Sequence, residues 1–449
     1  MGASDPLGSP LKGSWLAAGQ SEGFIEQLKQ QRIVMLSRIK AFFKYIKDNR
    51  FDRSLMRYFD WPLLIIVLAI SLFGVVCIFS ATSSQVIEQP ANIIEMLETQ
   101  SVTYPRLQLM WIGAGLIAMS FLIFFPYQLY ERYANTIYAA QIALLTLTLL
   151  LAQAGRGGMT AFFNWGSDRG FQPSEVCKIA IIIALSKAFC VRMKPIMTIH
   201  DIMPLAIYVG LPMVLIVAQP DVGTALVYLA VFSVMVFVSG TNSKLIWGVI
   251  GMLVVLMIPL WYFINNTASE NFRLTRILMW LNPEAYPDEA RQVINGQIAI
   301  GSGGLLGKGI VSPGSFASLG YISDDHTDFI FAIVCESFGM VGGMALVFAY
   351  VLLIARLIVL AIRTKDPYGS YLIVGVMAML LFHIVENIGM VIGLLPVTGI
   401  PLPFVSYGGS NMLTNMMGIG LVLNVVMRSR QHEQRQHTAT ERVMSLKRD

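Results

Sequence analysis

The sequence predicts an all-α polytopic membrane protein, and three observations support that fold class. Hydrophobic residues make up 55% of the 449 residues, charged residues make up only 13%, and the mean hydropathy is +0.64. A soluble domain carries about 25% charged residues, roughly twice as many. The apolar residues are also grouped into runs of about 20, the length that an α-helix needs to cross the hydrocarbon core.

Ten such runs are predicted to be transmembrane helices. The eighth is longer than a straight crossing requires, so we expect it to tilt or to bend near Gly339, Gly342 and Gly343. In chain order, the predicted spans are residues 61–81, 107–126, 134–153, 173–191, 202–218, 223–239, 244–264, 328–355, 371–395 and 407–427.

Basic residues indicate which ends of the spans face the cytoplasm. Because the number of spans is even, both termini lie on the same side of the membrane. The positive-inside rule assigns clusters of Lys and Arg to the cytoplasmic side. Such clusters precede the first span, follow the last, and connect spans four to five and eight to nine: Lys40, Lys44, Lys47, Arg50, Arg53, Arg57, Arg428, Arg430, Arg192, Lys194, Arg363 and Lys365. Both termini are therefore predicted to be cytoplasmic.

The chain outside the spans divides into two tails and one large loop. Residues 1–57 are predicted to form a cytoplasmic tail, in which residues 24–48 have the apolar and basic spacing of an amphipathic helix on the inner leaflet. Residues 58–428 form the membrane domain, and residues 429–449 form a second cytoplasmic tail. The large loop, residues 265–327, lies outside the cytoplasm between helices seven and eight. We expect no cleavable signal peptide, because the first apolar run is long enough to span.

Two of the outer loops are rich in glycine or proline. The run from Gly301 to Gly309 resembles a phosphate cradle, but Lys308 is followed by Gly309 and the P-loop spacing is absent, so the signal is weak. The segment from Leu394 to Asn411 contains three prolines and three glycines. It predicts a rigid or re-entrant turn, which persists at membrane depth only where protein or water satisfies its polar groups.

Asp328 is the strongest candidate for a reacting group, because it lies at the start of a long apolar run, where a carboxylate loses hydration. Other polar residues are predicted to converge with it on an outward-facing cavity: Glu175, Lys178, Asp221, Glu336, Glu386 and Asn387. Helix capping explains Pro173 and Glu175, but it does not explain Lys178. The alternative is a set of structural ion pairs, such as Glu175 with Lys178.

Five segments resemble the SEDS family (shape, elongation, division and sporulation), the bacterial peptidoglycan glycosyltransferases that include RodA and FtsW. The resemblance covers about residues 60–428, and the last segment is similar to the RodA branch. The segments are FQPSEVCK (171–178), QPDVGTA (219–225), QIAIGSGGLLGKG (297–309), HTDFIFAIVCESFG (326–339) and ENIGMVIGLLPVTGIPLPFVSYGGS (386–410).

The resemblance implies a glycosyltransferase that polymerises lipid II into glycan strands on the outer face of the bacterial inner membrane, during elongation and maintenance of cell shape. Asp328 matches the family's essential aspartate and would act as general base. The leaving undecaprenyl pyrophosphate needs cations, and Lys178, Arg276 and Lys308 are the candidates. Further residues are predicted to bind substrate: Glu175, His326, Asp221, Ser406 and Asn387.

Cofactors and partners are also expectations at this stage. A divalent cation, Mg²⁺ or Mn²⁺, is left open, with Asp328 or Glu336 as ligand, although no cluster in the sequence requires one. The resemblance implies lipid II as substrate and a class B penicillin-binding protein, a transpeptidase, as partner. Other membrane proteins of the elongation complex and membrane lipid are further partners, and nucleic acid is not expected.

Two other functions remain open from the sequence. Ten spans, broken helices and intramembrane charges also describe a transporter that flips lipid II, but here the charged residues cluster at the outer ends of spans and no inverted repeat is evident. A non-catalytic scaffold of the cell-wall elongation complex would leave the carboxylate of Asp328 without a role.

Overall fold

The computed structural model describes residues 53–82, 102–151, 163–164, 170–192, 196–219, 221–242, 244–245, 278–322 and 325–446. They belong to one compact unit, Arg53–Asp449. Its α-helices are α1 (Trp61–Ala81), α2 (Thr103–Phe124), α3 (Tyr127–Leu151), α4 (Pro173–Val191), α5 (Ile199–Ala218), α6 (Val222–Val238), α7 (Pro287–Ser302), α8 (Ile330–Arg363), α9 (Pro367–Val391) and α10 (Gly409–Leu446).

Shorter elements complete the described chain. Two 3₁₀-helices cover Arg53–Tyr58 and Pro283–Ala285. Strand β1 (Phe163–Asn164) pairs antiparallel with β2 (Gly170–Phe171), with Phe163 opposite Phe171. The second 3₁₀-helix and α7 lie within the predicted large loop, and β2 leads directly into α4.

The helices confirm a polytopic membrane protein. Among the described residues, seven helices are long and apolar enough to cross a membrane, and α6 is a shorter apolar helix of 17 residues. With α4, which carries Glu175, Lys178 and Lys187, they coincide with nine of the ten predicted spans. The predicted span at 244–264 and the predicted amphipathic helix at 24–48 lie outside the described residues.

Helices α9 and α10 form the centre of the bundle, since both are almost entirely buried where they would span. Helix α9 packs against α4, α6, α8 and α10, and α10 packs against α2. In contrast, α3 and α5 expose most of their apolar surface. That surface suits a lipid environment, in which apolar side chains need no protein cover. Most residues that α9 and α10 carry are therefore surrounded by protein, while Leu381 and Val385 of α9 are exposed.

The predicted bend in α8 is present at Gly339, whose φ of 68° and ψ of −167° break the helix. The segment Gly303–Gly309, here called the glycine strap, satisfies the backbone groups that the break leaves unpaired. Added β-carbons would lie 2.0 Å from the Cys335 carbonyl oxygen at Gly303 and 2.2 Å from the Ser337 oxygen at Gly307. Hydrogen bonds run in both directions: Lys308 N–H to Glu336 O, Gly309 N–H to Ser337 O, Met340 N–H to Gly304 O and Val341 N–H to Leu305 O.

The proline-rich segment forms a rigid turn that enters the bundle, here called the 393–408 turn. Phe404 is fully buried and has a φ of +67°, a conformation that a bulky residue adopts only when its surroundings enforce it. An added β-carbon on Gly74, seven residues before the end of α1, would lie 2.6 Å from Val405 Cα. The Tyr350 hydroxyl donates to the Pro403 carbonyl over 2.6 Å. As expected, protein groups satisfy this buried backbone.

Candidate active site

The backbone of His326–Asp328, here called the HTD segment, is fixed at three successive carbonyls. The His326 carbonyl accepts from the Tyr407 N–H (2.9 Å), and the Thr327 carbonyl accepts from Ser406 Oγ (2.6 Å). The Asp328 carbonyl accepts from Asn387 Nδ2 over 2.8 Å. Two separate elements, α9 and the 393–408 turn, therefore set the position of Asp328.

Ser406 and Asn387, both predicted to bind substrate, are 1% and 0% exposed. Ser406 Oγ also accepts from the Leu402 N–H over 2.8 Å, and the same Asn387 Nδ2 donates to the Ile400 carbonyl over 2.8 Å. Their side chains thus tie the HTD segment to the 393–408 turn. This geometry favours a positioning role for both residues over direct contact with a substrate.

Asp328 is only partly buried. An added β-carbon on Gly399 would lie 3.5 Å from Asp328 Oδ2, so the carboxylate lies against the backbone of the turn. The preceding residue, Thr398, donates from Oγ1 to Glu386 Oε1 over 2.6 Å. Two carboxylates therefore meet successive residues of the turn, and Asp328 is the more exposed of them.

His326 lies among aromatic rings beside Asp328. Its Nδ1 is 2.9 Å from Asp325 Oδ1, and its ring centroid is 4.7 Å from that of Tyr104 and 5.7 Å from that of Tyr407. Tyr104 is in the first turn of α2. The predicted neighbourhood of His326 and Asp328 is thus formed by three separate segments of the chain.

Lys178 and Glu175 form a buried ion pair, with Lys178 Nζ 2.6 Å from Glu175 Oε1. His383 of α9 completes the group, because its Nε2 lies 2.9 Å from Lys178 Nζ and its Nδ1 lies 2.6 Å from the Met379 carbonyl oxygen. A carbonyl can only accept, so Nδ1 carries the proton and Nε2 accepts from the ammonium. Lys178 is 2% exposed. The structure favours the ion-pair interpretation that the sequence left open.

Asp221, another predicted substrate-binding residue, is buried at the start of α6. Its Oδ1 accepts from the Thr224 N–H (3.0 Å), which caps the helix. Its Oδ2 accepts from Gln172 Nε2 (2.7 Å) and Ser174 Oγ (3.2 Å). Asp221 therefore joins the starts of α4 and α6.

Lys308 pairs with Glu336, at a distance of 2.8 Å between Nζ and Oε1. Glu336 is 1% exposed and also accepts from the backbone N–H groups of Phe316 (2.8 Å) and Ala317 (3.4 Å). The Lys308 side chain keeps 28% of its surface exposed. Glu336 anchors the loop that follows the glycine strap, and Lys308 remains accessible beside it. Arg276 lies outside the described residues.

The donor set for a metal ion is sparse. In the described part of the chain, no three His, Cys, Asp or Glu residues are grouped so that they could hold a metal. Both carboxylate oxygens of Glu336 accept hydrogen bonds from protein groups. Of the two predicted ligands, only Asp328 presents a partly exposed carboxylate, and one carboxylate does not make a Mg²⁺ site without substrate oxygens.

Sequence reasoning missed three residues that the site depends on. His383 is a lone histidine in an apolar run, and its partner Lys178 is 205 residues away. Tyr104 and Thr398 likewise acquire their roles through contacts that no local pattern signals. For Thr398 the sequence did give one indirect signal, because the residue lies within the turn that the prolines indicated.

Taken together, the fold and the site define a class: polytopic membrane proteins that hold a partly exposed aspartate at one end of the helix bundle. The FTSW_RODA_SPOVE family, described as cell cycle protein, matches residues 60–431. The chain is 34% identical to peptidoglycan glycosyltransferase MrdB of Escherichia coli (strain K12) over 370 residues, covering 82% of this chain and 93% of that protein. It is 33% identical to stage V sporulation protein E of Bacillus subtilis (strain 168), covering 83% and 98% of the two chains.

Solved structures agree with the sequence comparison. One is a chain of a peptidoglycan synthase complex, solved to show how polymerization and crosslinking are coordinated, with a TM-score of 0.66 and 29% identity over 83% of this chain and 99% of that chain. Rod shape determining protein RodA of Thermus thermophilus gives a TM-score of 0.58 and 29% identity, over 82% and 96% of the two chains. The protein belongs to the FtsW/RodA/SpoVE family.

Proposed function

We propose that this protein is a peptidoglycan glycosyltransferase that polymerises lipid II into glycan strands during cell elongation and the maintenance of cell shape. The observation that carries the proposal is the fixed HTD segment, which presents the partly exposed Asp328 carboxylate at the end of a membrane bundle. The 34% identity to the MrdB protein of E. coli, which is named as such an enzyme, supports it. The site faces outward from the bacterial inner membrane, in which the protein is embedded.

The reaction joins two lipid-linked sugars, and Asp328 acts as general base. The 4-hydroxyl of an N-acetylglucosamine attacks the anomeric carbon of an N-acetylmuramic acid as its proton passes to the Asp328 carboxylate. The bond from that carbon to the pyrophosphate oxygen breaks, and undecaprenyl pyrophosphate leaves with the electron pair. A positioned base of this kind contributes about 10²–10⁴-fold to the rate. Both substrates carry lipid tails, which explains a catalyst inside a membrane fold.

The leaving pyrophosphate gathers negative charge and needs a cation beside it. Lys308 suits that role better than Lys178 does, because Lys308 keeps 28% of its side chain exposed, while Lys178 is 2% exposed and paired with Glu175. We assign no step to Mg²⁺ or Mn²⁺, since the described donor set does not fit a metal site formed by protein ligands alone.

A class B penicillin-binding protein is the proposed partner, and its membrane span is the proposed occupant of an apolar groove of about 430 Å³. The match to a chain of a peptidoglycan synthase complex supports such a partner. The groove lies where α7 and the glycine strap meet α8, and its lining includes Gly301, Leu305, Phe331, Met340 and Met344. Below it, α8 exposes Phe348 and Val351. This continuous apolar face suits a single transmembrane helix.

The partner face can be tested by crosslinking. A photoreactive amino acid at Met344 should crosslink to the membrane span of the partner in a complex that makes and crosslinks strands. The same group at Ile207 of α5, which is also exposed and apolar, is the matched control and should give no such product. Crosslinks from Ile207 but not from Met344 would place the interface elsewhere.

The proposed activity is tested by supplying purified protein and its cognate partner with lipid II and separating the products by length. Wild-type protein should make long strands, and Asp328→Ala should make none while retaining the wild-type melting temperature. Asp366→Asn is a matched control, because Asp366 is also partly buried and precedes a helix, and Asn caps as well as Asp. It should polymerise at the wild-type rate.

The alternatives give different results in the same preparation. No strands from either protein, with labelled lipid II crossing the vesicle membrane, would identify a flippase. A scaffold would support cell-wall synthesis in cells equally well with Asp328→Asn, because the carboxylate would have no chemical role.

A further inference from the structure

Three aromatic rings meet at the HTD segment and are here called the aromatic cluster: Tyr104, His326 and Tyr407. The Tyr104 and Tyr407 centroids are 5.0 Å apart, with the two rings nearly perpendicular at 83°. The His326 ring lies 4.7 Å from Tyr104 and 5.7 Å from Tyr407, tilted by 42° and 45°. The rings come from the start of α2, the HTD segment and the 393–408 turn.

The cluster is joined to the backbone of the HTD segment, two residues from Asp328. The Tyr407 N–H holds the His326 carbonyl, and His326 is two residues before Asp328. Asp325 fixes the orientation of the His326 ring through Nδ1. Any group lying on these rings is therefore held at a set position relative to Asp328.

The rings are also accessible, unlike the aromatic residues of the core. Tyr228 and Tyr350 are 0% and 2% exposed, whereas all three members of the cluster are only partly buried. Folding would gain more by covering these surfaces, since each aromatic ring removes a large apolar area from water. Their partial exposure leaves ring surface that a ligand bound at the HTD segment can cover.

The chemistry of the cluster selects one part of a lipid-linked sugar. A pyranose ring has a face of C–H groups that packs well on the negative face of an aromatic ring, while its hydroxyls point outward to polar partners. A pyrophosphate group has no such apolar face. A polyprenyl chain does not need a fixed platform at the polar end of the bundle, because the bilayer accepts it.

From these contacts we propose that the aromatic cluster binds a pyranose ring of the substrate by stacking and so sets its register beside Asp328. This inference rests on the proposed function and names the subsite at which the sugar, rather than the lipid or the pyrophosphate, is recognised. Tyr104 and Tyr407 are the specificity-determining residues, since the orientation of His326 is already fixed by Asp325.

Aromatic residues also collect at membrane interfaces, where they interact with lipid headgroups. That role does not require three rings from separate segments to pack on one another. Tyr133 of α3 represents such a residue, because it is 36% exposed and lies near the opposite end of the bundle from Tyr104. It is therefore the matched control.

The test is equilibrium binding to purified protein in nanodiscs, with lipid II and undecaprenyl pyrophosphate as the two ligands. Tyr104→Leu and Tyr407→Leu should each weaken lipid II binding about tenfold and leave binding of the sugar-free pyrophosphate unchanged. Tyr104→Phe and Tyr407→Phe keep the rings and should bind both ligands as the wild type does. Tyr133→Leu should also bind both ligands normally.

Equal losses for both ligands, or no loss for lipid II in either Leu variant, would overturn the proposal, as would an equal effect of Tyr133→Leu. Melting temperatures identify a Leu variant that fails to fold, and the Leu variant at the other tyrosine then decides the question. Binding needs no turnover, so these results are separate from the proposed activity. A wild-type protein that binds lipid II but makes no strands would contradict the proposed function and not the stacking.

Discussion

The HTD segment and the buried group of Lys178, Glu175 and His383, here called the Lys178 group, differ in how far their charged side chains are exposed. In the HTD segment, protein groups bind the backbone carbonyls, and the Asp328 carboxylate stays partly exposed. In the Lys178 group, the Lys178 ammonium binds both Glu175 and His383, and the three residues are at most 5% exposed. The first arrangement holds a charge in position for a ligand, and the second arrangement satisfies charges within the bundle.

The difference separates two kinds of mutational effect. A buried charge that loses its partner keeps the cost of desolvation, so the damage falls on stability. A partly exposed carboxylate that loses its backbone supports stays solvated, so the damage falls on geometry and rate. Substitutions in the two regions should therefore divide between unfolding and catalysis.

The largest expected effect is loss of stability in Lys178→Met. The change leaves the Glu175 carboxylate buried without its cation and leaves His383 Nε2 without a donor. Removing one partner of a buried pair costs about 3–5 kcal/mol. Denaturant unfolding of the protein in detergent should show a decrease of that size relative to wild type.

The double variant Glu175→Gln, Lys178→Met is the control for that interpretation. Removing both charges eliminates the orphaned carboxylate, so the double variant should regain most of the lost free energy of unfolding. If its stability equals that of the single variant, the cost lies in packing and not in charge. A Lys178→Met protein of wild-type stability and reduced lipid II affinity would restore the substrate-binding role predicted from the sequence.

A smaller effect, on rate, is expected from Asn387→Leu. The substitution preserves volume but removes the donor to the Asp328 and Ile400 carbonyls. A shift of about 1 Å in a catalytic group costs up to about 10²-fold. Strand synthesis should therefore show a kcat lower by about 10–100-fold and a KM within about twofold of wild type.

Asn424 provides a matched control for Asn387. It is also fully buried and donates to two carbonyls, Leu122 O (2.6 Å) and Phe125 O (2.5 Å), at the opposite end of α2 from the site. Because Asn424 Oδ1 also accepts from Arg428 Nε (2.9 Å), Asn424→Leu should lower the melting temperature at least as much as Asn387→Leu does but leave kcat per folded molecule unchanged. Equal losses of kcat in both variants would show that Asn387 acts through stability alone.

The sequence predicted the spans and the bend well because those features are local. Apolar runs of about 20 residues define a span wherever they occur, and three glycines near position 340 mark a weak point in α8. Asp328, just before α8, was recognisable for the same reason, since a carboxylate beside an apolar run is rare. The fixed turn at 393–408 was indicated by its prolines and glycines.

The functions of individual polar residues could not be predicted because they depend on distant partners. The glycine strap pairs with residues of α8 that lie 28 or more positions later, as Lys308 does with Glu336, so its glycines resembled a ligand cradle rather than a site of backbone contact. Ser406 reaches Thr327 across 79 residues, and Lys178 reaches His383 across 205. Residue type alone does not distinguish a side chain that contacts substrate from one that forms a buried hydrogen bond within the protein, because both need the same donors and acceptors.

A third region, at the opposite end of the bundle, combines pairing with partial exposure. Asp60 caps α1 through the Leu63 N–H (3.2 Å) and binds Arg356 (Nη2 to Oδ2, 2.7 Å) and Arg430 (Nη2 to Oδ2, 3.1 Å). Burial alone would raise the pKa of Asp60. The hydrogen bond and charge of Arg356, the Leu63 N–H and the charge of Arg430 together outweigh burial and hold its pKa below the ordinary value.

The smallest expected effect is therefore a pH-dependent one, in Asp60→Asn. Asn keeps the cap, but it loses the charge that faces two arginines, whose own partial exposure limits each pair to about 1 kcal/mol or less. Because the folded pKa is depressed, this contribution is present above the unfolded pKa of about 3.9 and is lost as pH falls through the lower folded value. The gap in melting temperature between wild type and variant should be constant from about pH 7 to 5 and should close below about pH 4. A gap that persists at about pH 2–3 would mean that Asp60 acts through its cap and packing, as an uncharged group could. The ion pairs of Asp60 with Arg356 and Arg430 would then contribute nothing to stability.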